Sequence, residues 1–462
     1  MDEWTQTLGA GPLLAIAAAA IALILVLVIR FKLHAFLTLV VVSLLTALAT
    51  GIPIGEIVNT LVGGFGSTLG TVALLIGLGA MLGKLVEHSG GARVLAEALV
   101  GRFGEKRASF ALGLASLAVG FPIFFDAGLV VMLPIIFAVA RRLGGGNVLG
   151  YGIPAAAAFS VMHVFLPPHP GPVAATELYE ANLGLVLLVG IILAFPVWYV
   201  SGYLWGKRVG DRYPLPVPAL FGSIDEDQPS NPPRVGTVLA VLALPLVLIF
   251  MNTGLDALNG AGVVSEDETW FQVLTVIGTS AVALLISVLV AMLVLGTRRG
   301  VHGSALEKVL DSSLGPVCSV ILITGAGGMF GGVLRASGIG DALADSLESI
   351  GLPVIVAAYI IAVILRLAQG SATVALVTAA GLMAPAVTAG DYSGLQIACI
   401  TLATAAGSVF AGHVNDSGFW LVGRLMGMDV KTTLRTWTVQ QGIESVLAFA
   451  IISVLYVVVG LA

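Results

Sequence analysis

Charged side chains are scarce: Asp, Glu, Lys and Arg make up only 10% of the 462 residues, against 58% hydrophobic ones, and the mean hydropathy is +1.05. A water-soluble domain carries about 25% charged residues, so a soluble fold is excluded. Also missing is the alternation of apolar and polar residues, in segments of about ten, that a membrane β-barrel needs to present one face to lipid and the other to its lumen. There is no excess of positive charge. The formal net charge of -5 argues against a nucleic-acid surface and against a polybasic lipid-binding tail. Cysteine is nearly absent: Cys318 and Cys399 both lie inside apolar runs, where small buried packing is expected. Two such residues define neither a disulfide framework nor a thiolate metal site. The chain has no Walker-type phosphate loop, no Gly-x-Ser-x-Gly turn and no His-Glu-x-x-His pair, so ATP coupling and the common hydrolytic chemistries have no residues to carry them. No metal or cofactor is called for. A channel is disfavoured too, because neither a carbonyl-filter signature nor a ring-forming acidic repeat is found.

What the chain has instead is long uncharged runs. Gly11–Ile29, Val235–Met251 and Val273–Gly296 hold no charge and are each long enough to cross a hydrocarbon core roughly 30 Å thick. Their continuity predicts helices. The first run is preceded by Asp2 and Glu3 and followed by Arg30 and Lys32, the reverse of a secretory signal, and reads as a retained first span. The expected fold class is an all-α polytopic membrane protein.

Hydropathy collapses between Val209 and Arg234, a stretch with Asp211, Arg212, Asp225, Glu226, Asp227 and six prolines. It reads as an exposed cytoplasmic linker between two halves, 1–208 and 235–462. Gly77–Leu99 aligns without a gap on Gly325–Leu347 with 9 identities in 23, and His163-Val164 has a counterpart in His413-Val414. An internal duplication explains both. Basic residues at span ends mark the cytoplasmic side, which places Arg30/Lys32, Lys84–Arg107, Arg141/Arg142, Lys207/Arg208, Arg298/Arg299 and Arg424–Arg435 inside. The acidic loops Asn252–Trp270 and Arg335–Gly351 go outside. The duplicated segment therefore leads to an inside loop in one half and an outside loop in the other, so the repeats are inverted.

Each inverted repeat then needs an odd number of crossings. Five fit, near 11–29, 34–51, 67–86, 148–166 and 184–204, then 235–251, 271–296, 316–334, 395–413 and 441–460. Ala108–Ala140 and Leu352–Gly390 each start and end on one side, which suits two re-entrant hairpins; ordinary kinked helices would give 12–14 spans instead. The hairpins break at Gly120–Gly128 (GFPIFFDAG) and at Gln369–Thr373 (QGSAT). Broken backbone at membrane depth is tolerated only where protein or a watery cavity satisfies it. Paired breaks in inverted repeats are the pattern of a secondary transporter with its site at the midplane.

An ionised group at the centre of a membrane helix costs at least roughly 2.5–3.5 kcal/mol and persists where it faces a cavity or a partner. Asp126 is the only charge between Arg107 and Arg141, Arg366 stands alone between Glu348 and Asp391, and Asp416 lies close to His413. His163 and His169 flank a proline-rich interruption, HVFLPPH. Arg366 precedes the second break by about one turn, which sets a positive charge beside Gln369, Ser371 and Thr373. That combination suits a polyhydroxylated carboxylate: guanidinium pairs with carboxylate, free amides at half-helix N-termini add to it, and Ser371, Thr373 and Asn415 can bond hydroxyls. Alternatively Arg366 neutralises Asp416 or caps helix ends. Asp126 and Asp416 are candidate proton carriers, since loss of water favours a neutral carboxyl. A permanently ionised acid or a Na+ ligand is the other reading of each. His163 and His169 serve either the substrate or the packing of the break. His413 and the hairpin glycines Gly128 and Gly370 are secondary candidates, and His34, His88 and His302 fall at span ends.

With these residues in place, the chain resembles the gluconate permease family, the gluconate:H+ symporters of bacterial plasma membranes. The matching stretches are Gly77–Gly83 (GLGAMLG), Gly120–Gly128 (GFPIFFDAG), His163–Pro172 (HVFLPPHPGP), Gly370–Ala375 (GSATVA) and His413–Trp420 (HVNDSGFW), in order through both halves. The resemblance implies import of gluconate or a related small hydroxylated monocarboxylate with protons, by a carrier that works in the lipid bilayer as a homodimer and moves by an elevator motion. Asp126 stands where a glutamate would be more familiar, which shortens the reach of that carboxyl. D-serine or another hydroxy-amino acid is the alternative substrate that the resemblance allows.

Overall fold

The computed structural model describes residues 6–143, 147–218, 231–260, 263–339, 342, 352–413 and 416–461. All regular structure among them is helical, as the continuous apolar runs require. The first half contains α1 (Ala10–Ile29), α2 (Ala35–Ala49), α3 (Ile54–His88), α4 (Gly91–Phe103), α5 (Ala108–Gly120), α6 (Phe125–Leu143), α7 (Leu149–Phe165), α8 (Pro170–Leu178), α9 (Leu183–Trp198) and α10 (Trp205–Arg212). The second contains α11 (Val235–Gly260), α12 (Thr269–Gly278), α13 (Ser280–Ala291), α14 (Gly303–Asp311), α15 (Leu314–Ala336), α16 (Val354–Gln369), α17 (Ala372–Ala389), α18 (Gly394–Ser408), α19 (Ser417–Leu425), α20 (Val430–Thr433) and α21 (Val439–Gly460). Single π-helical turns at Tyr199–Leu204 and Leu434–Thr438 join α9 to α10 and α20 to α21.

Among the described residues, eight helical stretches are long and apolar enough to span a bilayer, and further apolar helices are shorter. The protein is thus polytopic and all-α. Apolar side chains such as Ile192, Val247 and Val454 stand on the outside of the bundle, where a soluble protein would carry charge. Cys318 belongs to this surface: it is exposed, not packed, because it lies near the start of α15, before most of that helix enters the interior, whereas Cys399 is buried as expected.

Some boundaries differ from the hydropathy reading. α3 begins at Ile54, well before the expected span at 67–86, because nothing in GEIVNTLVGGFGS stops a helix once Pro53 has set its first turn. The expected span 271–296 is divided: Thr279 is extended between α12 and α13, and Gly278 lets the break sit on α11, since a Cβ there would lie 2.7 Å from the Leu248 carbonyl. The linker begins later than Val209, as α10 runs on to Arg212, and its residues 219–230 lie outside the described ones. Both segments expected to turn back are helix–break–helix pairs, α5–α6 and α16–α17, packed against each other. The expected spans at 148–166 and 395–413 correspond to α7 and α18, and each is followed, after a break, by a short further helix, α8 and α19.

Lipid is as apolar as leucine, so membrane helices associate through close packing, and small residues mark their contacts. α3 and α15 cross most extensively. At the crossing a Cβ on Gly64 would lie 2.7 Å from the Gly328 carbonyl oxygen. Further along, the duplicated glycines bring α3 onto the breaks. A Cβ on Gly79 would lie 2.9 Å from Pro168, and one on Gly83 would collide with the carbonyl of Pro122. Their counterparts Gly327 and Gly331 bring α15 onto Val377 and Gly381 of α17. The glycine motif read as a repeat is therefore the surface on which the interrupted segments rest.

Candidate functional site

Breaking a helix inside the bundle creates a new N-terminus, whose unsatisfied N–H groups and dipole favour negative charge. Among the described residues, four such N-termini line one cavity of about 430 Å³: those of α6, α8, α17 and α19. Two supply their own acid. Asp126 sits in the first turn of α6, and Asp416 caps α19, its Oδ1 accepting from the Gly418 N–H at 3.0 Å. At α17 the capping group is neutral, Ser371 Oγ accepting from the Val374 N–H at 3.4 Å. That terminus keeps its positive character.

Arg366 forms the buried wall. It is 2% exposed, and its Nη2 donates to Asp416 Oδ2 at 2.7 Å and to Gln441 Oε1 at 3.1 Å. Nη1 donates to the carbonyl of Gly370, which ends α16 in a left-handed conformation (φ 81°) that glycine adopts without strain. Gly412 lies directly over this group; a Cβ there would collide with Arg366 and Gln441. Arg366 Nε is buried without a partner. The cation is thus engaged by an anion of the protein itself, as the neutralising alternative anticipated.

The opposite wall is a directional hydrogen-bond chain. His169 Nε2 lies 2.8 Å from the Gly120 carbonyl, His169 Nδ1 lies 3.3 Å from His163 Nδ1, and His163 Nε2 lies 3.3 Å from Thr373 Oγ1. A carbonyl only accepts, so His169 carries its proton on Nε2. With both rings neutral, His163 then donates from Nδ1 and accepts at Nε2 from the Thr373 hydroxyl. Thr373 keeps lone pairs for a solute hydroxyl. The chain joins the breaks after α5, after α7 and before α17.

Arg366, Asp126, Asp416, His163, Ser371 and Thr373 therefore share one cavity, although they come from four separate segments. His169 stands behind His163, buried. Gly370 contributes its carbonyl to Arg366. Gly128 is packed on the Phe159 ring away from the cavity, and His413 bonds the Leu367 carbonyl at 3.2 Å. The Gln369 side chain and Asn415 lie outside the described residues. Hydropathy reasoning missed Ser160, Ser417 and Gln441, which also line the cavity, and the ion pair Lys84–Glu87 (2.8 Å) at its less buried end. It also missed Glu444. The polar run Gln440-Gln441-Gly-Ile-Glu444 at the start of an uncharged stretch carries the same signal as Asp126 and Arg366.

Interrupted helices whose termini converge on a polar cavity inside an apolar bundle define a multi-pass membrane transporter rather than an enzyme. The chain belongs to the GntP permeases: the family described as GntP family permease matches residues 12–459. It is 40% identical over 438 residues to the inner membrane permease YgbN of Escherichia coli K12 (92% of this chain, 94% of that one). It is 39% identical to a gluconate permease of Bacillus subtilis (93% and 96% covered), and 35% identical to the Gnt-II system L-idonate transporter of E. coli K12 (94% and 97%). Among solved structures, the YdaH transporter of Alcanivorax borkumensis shares the fold, with a TM-score of 0.64, 17% identity, and 91% of this chain and 98% of that one covered. The protein is a permease of the bacterial inner membrane.

Proposed function

We propose that the protein imports gluconate or a closely related aldonate together with protons, and that the Arg366–Asp416 pair couples the two. The 2.7 Å contact between these residues in the wall of the cavity carries the reading. While Asp416 is ionised it occupies Arg366. A proton on Asp416 removes that competitor and frees the guanidinium for the solute's carboxylate, beside the open N-terminus of α17. The wall then holds one cation and one anion in both the empty and the loaded state, which keeps the cost of burying charge low during the crossing. Thr373, Ser371 and His163 face the hydroxyls. Asp126, which forms no ion pair among the described residues, must be neutral for an anion to settle beside it, so it shares in the coupling. The names of the relatives support an aldonate, and the cavity is of small-molecule size.

In this reading 1–208 and 235–462 are inverted repeats, α5–α6 and α16–α17 are re-entrant, and the carrier is a homodimer. Lys84 and Ser312 line the cavity on the side that the basic loops assign to the cytoplasm, which supports an inward-facing conformation. A specific observation favours a second substrate class: the unpaired Asp126 could hold the ammonium of D-serine or a similar hydroxy-amino acid.

Uptake of labelled gluconate into proteoliposomes, with and without an inward proton gradient, decides between them. Gradient-dependent accumulation is expected. Failure with gluconate and success with D-serine would transfer the assignment to the amino acid.

A further inference from the structure

Glu444 lies on α21 behind the wall of the cavity and is fully buried. Ser160 Oγ lies 3.1 Å from its Oε1, and Gln440 Nε2 donates to its Oε2 at 2.8 Å. Among the described residues it has no ion pair. The elements packed around α21 bring His163 on α7, Cys399 on α18, Tyr359 on α16, Tyr199 and Tyr203 in the π-helical turn and Arg435 just before α21, and none of these bonds it; the Tyr359 hydroxyl bonds the neighbouring Ser445. Arg366 is the cation whose field reaches it, but that charge is held by Asp416 and meets α21 only through Gln441.

An uncompensated carboxylate at this depth is costly, whereas a carboxylic acid with hydrogen-bond partners is not. The surroundings can serve both forms. Toward the carboxylate, the Gln440 amide donates as observed. Toward the acid, an O–H on Oε1 can donate to Ser160 Oγ while the Gln440 amide goes on donating to Oε2. Ser160 completes the arrangement, because it lines the cavity on one side and touches Glu444 on the other.

We propose that Glu444 is a proton-carrying site separate from the substrate cavity and reached from it through Ser160. A proton from cavity water goes onto the Ser160 oxygen while the hydroxyl proton passes to Glu444 Oε1, so one proton is taken up and the carboxylate becomes neutral. This site adds a proton to the one on Asp416, and in that respect it rests on the coupling proposed above.

The test has two arms. In the first, the infrared difference spectrum of the purified full-length protein is recorded against pH without substrate. A protonated-carboxyl C=O band should disappear reversibly as the pH rises, be absent in Glu444→Gln and persist in Asp416→Asn. Glu444→Asp, which keeps an acid and shifts the band, provides the assignment should Glu444→Gln fail to reach the membrane. A Glu444 band that never changes with pH, or is never present, would overturn the proposal. In the second arm, the gradient that nulls net flux in proteoliposomes gives the protons carried per solute, and Glu444→Gln should lower that number by one. An unchanged number would also sink the idea. If the wild type carries no gluconate, only the substrate reading falls, since the infrared arm uses none.

Discussion

Arg366 and Asp416 are fifty residues apart in the chain, yet their side chains meet at 2.7 Å where the end of α16 faces the start of α19. In the proposed coupling the solute's carboxylate and the ionised Asp416 are rivals for one guanidinium, so protonation of Asp416 and binding favour each other. An Asp416 carboxylate that occupies Arg366 weakens carboxylate binding, so binding should strengthen toward acid pH. Asp416→Asn should weaken this dependence, leaving only the part that Asp126 contributes. Equilibrium binding of labelled solute across pH checks it, and a variant that keeps the wild-type slope would refute the rivalry.

Replacing the cation itself should have the opposite result. Charge-assisted hydrogen bonds contribute about 1.5–3 kcal/mol, so Arg366→Gln should weaken carboxylate binding roughly 10- to 150-fold. Size-exclusion chromatography shows whether the protein stays folded. Normal affinity in a folded variant would make Arg366 purely structural.

Asp126 lies in the first turn of α6 and is partnered by no cation among the described residues. Asp126→Asn keeps its size and polarity but removes its change of charge. Accumulation driven by a pH gradient should be weakened, because fewer protons then drive it, and exchange of external for internal solute should survive, because exchange uses only the loaded carrier. Loss of both would give Asp126 to binding or folding.

Thr373 donates to His163 and accepts from the solute in the proposed pose. Thr373→Val removes both functions, and with a net value of about 0.5–1.5 kcal/mol per neutral hydrogen bond it should weaken binding of a polyhydroxylated acid by up to about tenfold. Thr373→Ser should restore it. An unaffected valine variant would show that the hydroxyl serves only the histidine chain.

Glycines in the same helix differ in what surrounds them. A Cβ at Gly83 would collide with the Pro122 backbone, whereas at Gly63 it would meet nothing within 4 Å. Gly83→Ala should lower the thermal midpoint in detergent, by the roughly 1–3 kcal/mol that overpacking costs, and impair transport. Gly63→Ala should do neither.

Much of the fold and part of the site are legible in the sequence. A lone charge in a long apolar run singles itself out, which is how Asp126 and Arg366 were found, and the proline-rich HVFLPPH could not remain helical. The partner of Arg366 was named only as an alternative, because pairing across fifty residues depends on how α16 and α19 approach each other. Glu444 obeys the same rule as Asp126 but stands near the beginning of its run, where a charge reads as the edge of a span. Gln441 and Ser160 could not be found by charge at all. Neutral polar residues in a membrane helix face the interior or the lipid according to packing alone, and that information is non-local.

The four helix ends around the cavity have one more consequence. Their positive potential belongs to peptide groups, so it neither titrates nor disappears through a change of side chain. In the proposed mechanism, preference for an anionic cargo is built into the main chain, while the response to protons is written in a handful of carboxyls. Natural variation can therefore retune the driving ion, or sever it and leave a passive exchanger, without changing the charge class of what is carried.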